Sequence, residues 1–327
     1  MERKLYTKEE VIKFIESNRY MVLTADENLL AALPKGNWIG GTIPYFMDIQ
    51  GGILTKEKIF VDDFTSLGVD FRIIEFDETD IKEIANTSFG NGFTILLLPG
   101  ESAILEKYAL YSDNYVNIFR NPVTGYVTGC DVNEASTAIP KVFNGTTRKK
   151  YSGKAIALHV KLPDKKIARI EIVNIFKPIE NSDIITFPET GFKQTECYVN
   201  GEKRFLTEYL EEKKYDTQLP LIANQAGAMI NKSFRELNNE TKEVKFFAPL
   251  QAYEKYMLAQ KVIDYGKQFA KEIHKIPQTE FVCNCILNHL YGKFEGKRIN
   301  LNWTTTFGEI AYQLLNQTLV YLTIDEI

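Results

Sequence analysis

Two adjacent glycines interrupt an otherwise apolar strand in Asn37-Trp38-Ile39-Gly40-Gly41-Thr42-Ile43, within a segment, residues 38–47, that is predicted to be extended. Glycine weakens a strand through backbone entropy, so a glycine pair marks a bulge or a close approach of a ligand or another backbone. One interpretation is a ligand site, in which Trp38 forms a stacking wall and Thr42 offers a hydrogen bond. The other is a bulge that lets two subdomains pack.

Helices and strands alternate on both sides of this strand. Before it, Thr7-Lys8-Glu9-Glu10 has the form of a capping box, which predicts a helix to about Asn18. After it, residues 77–86 and 101–111 are predicted to be helical, and the apolar run Phe93 to Leu98 between them is predicted to be a buried strand. This part of the chain therefore mixes both element types.

The chain becomes rich in β-structure from about residue 116. Asn144-Gly145 and Asn200-Gly201 are strong hairpin-turn signals between extended runs. Residues 154–162 and 167–176 are predicted to be paired strands, and residues 259–274 are predicted to form a longer helix. The sequence thus predicts an α+β protein with mixed β-sheets flanked by helices.

The least arbitrary domain boundary is the turn region at residues 144–152, which divides the chain into two halves, residues 1–150 and 151–327. No long Gly/Ser linker separates them, so the halves are expected to pack together. A small ligand would then bind at their junction.

Composition excludes several functional classes. The 327 residues carry 39 Lys and Arg against 43 Asp and Glu, a formal charge of −4, which argues against a protein that binds nucleic acid. No apolar run approaches the roughly 18 residues of a membrane helix. The charged N-terminus lacks a signal peptide, and four cysteines are too few for a disulfide framework. The sequence predicts a cytoplasmic protein that does not insert into a membrane.

Several motifs in order along the chain resemble the FIST domain, a bacterial and archaeal sensory module. The glycine strand at residues 37–43 and the segment Phe119 to Asp131 look like the FIST N-terminal half. Phe281-Val282-Cys283-Asn284-Cys285, Thr306-Phe307-Gly308-Glu309-Ile310 and Leu315 to Val320 are similar to the way FIST C-terminal domains end. The family often has Arg three residues after the Cys of its apolar strand, where Asn288 stands here.

This resemblance implies two FIST-like halves, an N-terminal-like domain over residues 1–150 and a C-terminal-like domain over residues 151–327, that bind a small polar, amino-acid-like metabolite. FIST modules are usually joined to kinase, cyclase or chemotaxis output domains, for which this chain is too short, so a separate signalling protein is the expected partner. Asn231 and Glu309 are polar residues in apolar segments, as expected of a pocket. The predicted ligand-binding residues are Trp38, Gly40, Gly41, Thr42, Asn231, Cys285, Gly308 and Glu309.

An enzymatic alternative is a hydrolase or transferase with a Ser or Cys nucleophile. Leu98-Pro99-Gly100-Glu101-Ser102 invites comparison with a nucleophile elbow, but Ile104 stands where the second glycine belongs, and Ser102 is more simply a helix N-cap. Cys130 and Cys285 are the candidate thiol nucleophiles. No catalytic residue is predicted, and the protein is expected not to be an enzyme.

A bound metal or cofactor has weak support in the sequence. Cys283, Cys285 and His289 offer three zinc ligands where a structural site needs four, so buried free thiols are the simpler interpretation. No Walker or dinucleotide fingerprint occurs. A haem-binding gas sensor is the remaining alternative, with His159 or His289 as the axial ligand. The expectation is that the protein carries no cofactor.

Overall fold

The computed structural model describes residues 2–225 and 227–326, and strands dominate its regular structure. The strands are β1 Lys4–Tyr6, β2 Met21–Ala25, β3 Trp38–Thr42, β4 Tyr45–Asp48, β5 Gly51–Leu54, β6 Ile59–Asp63, β7 Asp70–Phe76, β8 Gly92–Leu98, β9 Val123–Val127, β10 Val142–Asn144, β11 Lys149–Tyr151, β12 Ala155–Lys161, β13 Lys166–Val173, β14 Ile185–Thr186, β15 Gly191–Gln194, β16 Glu196–Val199, β17 Glu202–Phe205, β18 Leu221–Gln225, β19 Ala228–Lys232, β20 Phe234–Asn238, β21 Glu243–Leu250, β22 Tyr256–Leu258, β23 Phe281–Cys285, β24 Trp303–Thr306, β25 Glu309–Ala311, β26 Gln313–Leu315 and β27 Leu319–Glu326. The α-helices are α1 Lys8–Glu16, α2 Glu27–Ala31, α3 Ala103–Tyr111, α4 Leu206–Glu212, α5 Tyr265–Ile273 and α6 Ile286–Tyr291. The predicted α+β class is confirmed.

Three six-stranded sheets repeat one strand pattern. Sheet I has the order β1-β6-β2-β3-β10-β11, sheet II has β7-β12-β8-β9-β25-β26, and sheet III has β13-β27-β23-β24-β4-β5. In each sheet the third and fourth strands are a parallel pair, and every other neighbouring pair is antiparallel. A helix, α2, α3 or α6, lies between the two strands of each parallel pair in the sequence, as a parallel connection requires.

The pattern recurs in three successive parts of the chain, β1–β6, β7–β12 and β13–β27, which we call the first, second and third repeats, and each repeat gives a hairpin to the sheet of another. The hairpin β4–β5 follows β3 in the chain but pairs with β24 of sheet III. Likewise β10–β11 follows β9 but pairs with β3 of sheet I, and β25–β26 follows β24 but pairs with β9 of sheet II. This exchange joins the three sheets in a closed cycle.

The three sheets surround one hydrophobic core. Ile39 of sheet I, Ile95 of sheet II and Val320 of sheet III all belong to it and are fully buried. The opposite faces pack against helices, with α1 and α2 on sheet I, α3 on sheet II and α5 on sheet III. Each sheet is therefore covered on both faces.

An inserted β unit, residues 185–258, lies within the third repeat. It contains the six-stranded sheet β17-β16-β14-β22-β18-β19, the three-stranded sheet β15-β21-β20 and α4, and it has a core of its own. Its strands β18 and β19 form a hairpin around Gly227. In the part of the chain described, no helix has the length and apolar character that crossing a membrane requires.

Local sequence signals predicted several elements correctly. The Thr7 hydroxyl accepts a hydrogen bond from the Glu10 amide at 3.3 Å, and the Glu10 carboxylate accepts one from the Thr7 amide at 2.8 Å, which completes the predicted capping box. Asn200 and Gly201 have φ values of +51° and +90° in the turn between β16 and β17, a backbone that Asn and Gly adopt readily. These signals act over a few residues.

Other expectations need correction because distant partners decide the outcome. Residues 38–47 form two strands in two sheets, since the chain leaves sheet I after Thr42. The strands β12 and β13 do not pair with each other: β12 pairs with β7 and β8, and β13 pairs with β27. Residues 77–86 form only a short 3₁₀ turn at Ile81–Glu83, and residues 259–274 are helical only over α5.

The predicted division between residues 150 and 151 falls inside β11. The sheets contain strands from both sides of this division. β4 and β5 precede it but belong to sheet III, and β25 and β26 come after it but belong to sheet II. Hairpin exchange is a long-range property that leaves no local signal.

Candidate functional site

The carboxyl ends of the parallel strands meet at one place in the molecule. The amide of Gly129, just after β9, donates to the carbonyl of Thr42 at the end of β3, with an N···O distance of 2.8 Å. The ring of Phe307, just after β24, lies so close to Gly129 that a Cβ there would come within 1.9 Å of it. In sheets with parallel strands, ligands bind in the crevice at these carboxyl ends.

A cavity of about 370 Å³ opens at the end of β8 and β9, and we call it the elbow pocket. Its volume lies in the range of small-molecule sites, about 300 to 1,000 Å³. One wall comes from sheet II and α3, the other from the inserted β unit. The lining residues are Gly100, Glu101, Ser102, Leu105, Glu106, Val127, Thr128, Gly129, Cys130, Ala135, Ala138, Pro140, Phe192, Lys193, Arg235, Lys245, Phe246, Phe247 and Phe307.

The turn from β8 into α3 forms the back of this pocket. Glu101 has a φ of +55°, so the chain turns sharply here through a non-glycine residue in the left-handed region. The Ser102 hydroxyl donates to the Pro99 carbonyl at 2.6 Å and accepts from the Leu105 amide at 3.3 Å. The N-cap interpretation of Ser102 is therefore confirmed, and no histidine is among the residues found to line the pocket.

The mouth of the elbow pocket carries both charges, and its walls are apolar. The Arg235 guanidinium pairs with Glu101 at 3.1 Å and lies 6.0 Å from the centre of the Phe247 ring. Lys193 and Lys245 stand beside Arg235 on the inserted unit. Because cations and a carboxylate border an aromatic chamber, a ligand with both charges and an apolar part fits this arrangement.

Cys130 is the thiol of the elbow pocket. Partial burial raises its pKa, and the nearby carboxylates Asp131, Glu134 and Glu101 raise it further. A reactive cysteine needs the opposite, a cationic environment that stabilises the thiolate. The thiol is thus protonated at neutral pH.

We expect Cys130 to react more slowly with iodoacetamide at pH 7.5 than free cysteine does, because its raised pKa lowers the thiolate fraction. Cys197, Cys283 and Cys285 are buried and should not react in the folded protein. Mass spectrometry of the alkylated native protein measures this, with the unfolded protein as control. Rapid labelling of Cys130 would instead indicate an activated nucleophile.

The glycine strand lies beside the elbow pocket and is used for packing. Trp38 is buried against the helices outside sheet I, and its indole donates to the Pro34 carbonyl at 3.1 Å. On Gly40, a Cβ would lie 3.1 Å from the Leu23 carbonyl oxygen, and on Gly41 it would lie 2.7 Å from the methyl group of Thr128. The strand keeps a regular register with β2 and β10, so no bulge forms.

Thr42 fixes the end of this strand. Its hydroxyl accepts from the Lys141 amide at 2.9 Å, and its carbonyl accepts from Gly129. Thr42 also borders a smaller cavity of about 190 Å³, which shares Gly129, Cys130 and Ala138 with the elbow pocket. From the glycine strand, Thr42 and its neighbour Ile43 therefore line this smaller cavity.

Cys285 and Glu309 belong to one buried polar network, in which the Cys285 amide donates to the Thr318 carbonyl at 3.1 Å. One Glu309 oxygen accepts from the Thr306 hydroxyl at 3.1 Å, and the other accepts from the Thr318 hydroxyl at 2.9 Å. Burial raises the pKa of Glu309 to about 8, against the effect of these hydrogen bonds. Gly308, with a φ of +154°, makes the turn between Phe307 in the pocket wall and Glu309 in the network.

Asn231 joins the same buried region from the inserted unit. Its amide group donates to the Gln317 carbonyl at 3.1 Å, and its oxygen accepts from Asn174 at 2.8 Å. The structure thus brings Asn231, Cys285, Gly308 and Glu309 to one polar interior around Gln317 and Thr318. None of these four residues is among those found to line the elbow pocket.

The two candidate haem ligands are buried; His159 is hydrogen-bonded, whereas the Nδ1 atom of His289 has no hydrogen-bond partner among the described residues. His159 bonds through its ring nitrogens to the hydroxyls of Thr94 at 2.7 Å and Thr87 at 3.2 Å, and burial lowers its pKa to about 4. His289 packs its ring 5.8 Å from that of Tyr45. Among the described residues, no three His, Cys, Asp or Glu side chains are grouped to hold a metal ion.

Sequence reasoning missed most of the pocket lining. Arg235, Phe247 and Lys193 come from the inserted unit, far along the chain from the elbow at residues 99–102. The sequence does show the elbow as a strand-turn-helix pattern, but that pattern was interpreted as a possible position for a nucleophile and not as part of a ligand pocket. No linear pattern could have indicated which strand would pack against it.

A comparison with curated proteins finds no match to the chain. Over residues 6–325 the chain matches the model of DUF6976, a family of unknown function, and it therefore belongs to that family.

Proposed function

We propose that this protein is a sensory module that binds a small amino-acid-like metabolite in the elbow pocket. The observation that carries the proposal is the pocket itself, a chamber of about 370 Å³ at the carboxyl ends of β8 and β9. Its position follows the general rule for ligand sites in sheets with parallel strands. The proposal also covers a separate signalling protein as partner and, from the four free cysteines, a cytoplasmic location.

The chemistry of the lining favours a zwitterion with an apolar side chain. Arg235 offers a guanidinium for a carboxylate, and Glu101 and Glu106 offer carboxylates for an ammonium group. Phe192, Phe247 and Phe307 provide the apolar surface. The ion pair between Arg235 and Glu101 at 3.1 Å would open so that each partner could bind one charge of the ligand.

A ligand in this position would touch two packed units at once. Gly100, Ser102 and Thr128 belong to the three-sheet body, whereas Arg235 and Phe247 belong to the inserted β unit. Binding would therefore add contacts across their junction and favour one relative arrangement of the units. Such a population shift is what a sensory module passes to its partner.

A thermal-shift screen of amino acids and related metabolites tests the proposal. A ligand present at about 100 times its dissociation constant stabilises the folded state by about 2.7 kcal/mol, which raises Tm by several degrees. We expect zwitterions with apolar side chains to give the largest shifts. A screen in which no amino acid changes Tm at millimolar concentration would count against the proposal.

We expect Phe247→Ala to raise the dissociation constant of the best ligand at least tenfold, because it removes an aromatic wall worth about 1.4 kcal/mol or more. Isothermal titration calorimetry measures this change. Phe205→Ala is the matched control, since Phe205 lies in the same unit, is 40% exposed against 37% for Phe247, and is outside the pocket. Equal affinities for the two variants would place the ligand elsewhere.

A further inference from the structure

A second cavity is distinct from the elbow pocket and carries a concentration of positive charge. It has a volume of about 670 Å³ and lies between the first turn of α5 and the segment that follows α6. We call it the basic groove. Its cations are Lys261, Lys267, Lys293, Lys297 and Arg298. No residue lines both cavities, so the two sites can be tested independently.

The five cations lack carboxylate partners among the described residues. None of them forms an ion pair within 4.0 Å, although many other exposed lysines of this chain do. The two carboxylates in the lining, Asp216 and Asp264, accept hydrogen bonds from backbone amides of their own turns. In a chain with a net charge of −4, such a group of unpaired cations creates a local field that attracts anions.

The composition of the groove suits phosphoryl groups. Four of its five cations are lysines, which bind phosphate as compact point charges, and the fifth, Arg298, offers a guanidinium whose geometry matches two phosphoryl oxygens. The apolar part of the lining includes the ring of Tyr291, which is partly exposed, and that of Phe294, which is buried. A volume of about 670 Å³ suits a small molecule with several charged groups.

We propose that the basic groove binds a small molecule that carries two or three linked phosphoryl groups. The lysines neutralise the phosphoryl oxygens, and the ring of Tyr291 accepts a base or another flat group. Two sources share this chemistry, a nucleoside polyphosphate and inorganic polyphosphate. The proposal does not depend on what the elbow pocket binds.

Calorimetric titration of the full chain with ATP and with inorganic triphosphate tests this site. We expect both probes to bind, and the double variant Lys293→Gln, Lys297→Gln to raise each dissociation constant about tenfold, the effect of losing two exposed charge contacts. The matched control is Lys271→Gln, Lys275→Gln, two exposed lysines also four residues apart and outside the groove. Their loss should change affinity less than twofold.

The two probes distinguish the source of the phosphoryl groups. Tighter binding of ATP supports a nucleoside polyphosphate, and equal binding supports the phosphate chain alone. The proposal is overturned if neither probe binds at millimolar concentration, or if the control variant loses as much affinity as the groove variant. Equal affinity for a decaglutamate peptide would also overturn it, because the groove would then be a site for acidic protein segments.

Discussion

Glu309→Gln should remove a loss of stability that the wild-type protein shows as the pH rises from 6.5 to 8. Burial raises the pKa of Glu309 to about 8, so the folded protein keeps this carboxyl protonated in that range. The unfolded chain has an ordinary glutamate and releases the proton at about pH 4.3. Unfolding therefore releases a proton, and alkaline conditions favour it.

The size of the effect follows from linkage. Stability is highest below the unfolded pKa and falls by about 1.4 kcal/mol per pH unit until the folded pKa is reached. Other groups contribute as well: the raised pKa of Asp62, about 6, adds to the fall mainly below pH 6.5, and His159, whose pKa burial lowers from 6.5 to about 4, adds an opposite slope up to about pH 7.5. Above pH 8, Lys232 adds an opposite slope because burial lowers its pKa to about 8.

Between pH 6.5 and 8 we therefore expect Glu309 alone to lower the wild-type free energy of unfolding by about 1.6 kcal/mol, because it is already half ionised at its folded pKa. Urea denaturation across this range measures it. Glu309→Gln keeps the shape without a titratable proton, so its curve should be flatter by that amount. Glu171→Gln, at an exposed position, should keep the wild-type slope. Parallel curves for the wild type and Glu309→Gln would show that Glu309 is ionised in the folded state.

Gly41→Ala should destabilise the protein by about 1 to 3 kcal/mol, as overpacking of a filled core does. A Cβ at this position would lie 2.7 Å from the Thr128 methyl group and 3.0 Å from the Tyr126 ring. Tyr126 cannot move freely, because its hydroxyl is 2.5 Å from that of Thr24. The new methyl group would thus force sheets I and II apart. Thermal or urea denaturation measures the loss.

Gly153→Ala is the matched control for this substitution. No atom lies within 4 Å of a Cβ there, so the change should not disturb the folded state. It should be neutral, or should stabilise the protein by about 0.4 to 1 kcal/mol because alanine lowers the conformational entropy of the unfolded chain. Two results would contradict the packing account. One is a Gly41→Ala variant as stable as wild type. The other is a Gly41→Ala variant that keeps the stability of the wild type but loses ligand binding, which would support the glycine pair as a ligand site.

The elements that could be predicted from the sequence are those that local chemistry decides. Thr7 and Glu10 satisfy each other's backbone groups, so the start of α1 needs no distant partner. The apolar run at residues 93–98 has one stable solution, a strand buried on both faces, and β8 is that strand. Asn200-Gly201 makes its hairpin because these two residues adopt positive φ at little cost.

The elements that could not be predicted depend on exchange between repeats. Nothing in Ile43-Pro44 reveals that β4 will pair with β24, some 250 residues further along the chain. The triple repeat was missed for the same reason, since the inserted β unit lengthens the third repeat and hides its correspondence with the others. The resemblance to the FIST family stays a prediction.

None of the eight predicted ligand-binding residues is among those found to line the elbow pocket. Cys285, Gly308 and Glu309 do lie together, because Gly308 turns the chain between β24 and β25. The elbow pocket, however, is assembled from sheet II and the inserted unit, and Arg235 and Phe247 stand in segments without any motif. A site formed by two units that meet only in the folded state has no linear signature.

A crystal structure of the full chain with the ligand that most raises Tm tests the central claim most directly. The account predicts ligand density in the elbow pocket, in contact with Phe247 and Phe307, with the Arg235–Glu101 ion pair opened and each partner turned toward the ligand. Ligand density at any other position, with the elbow pocket unchanged, would contradict it.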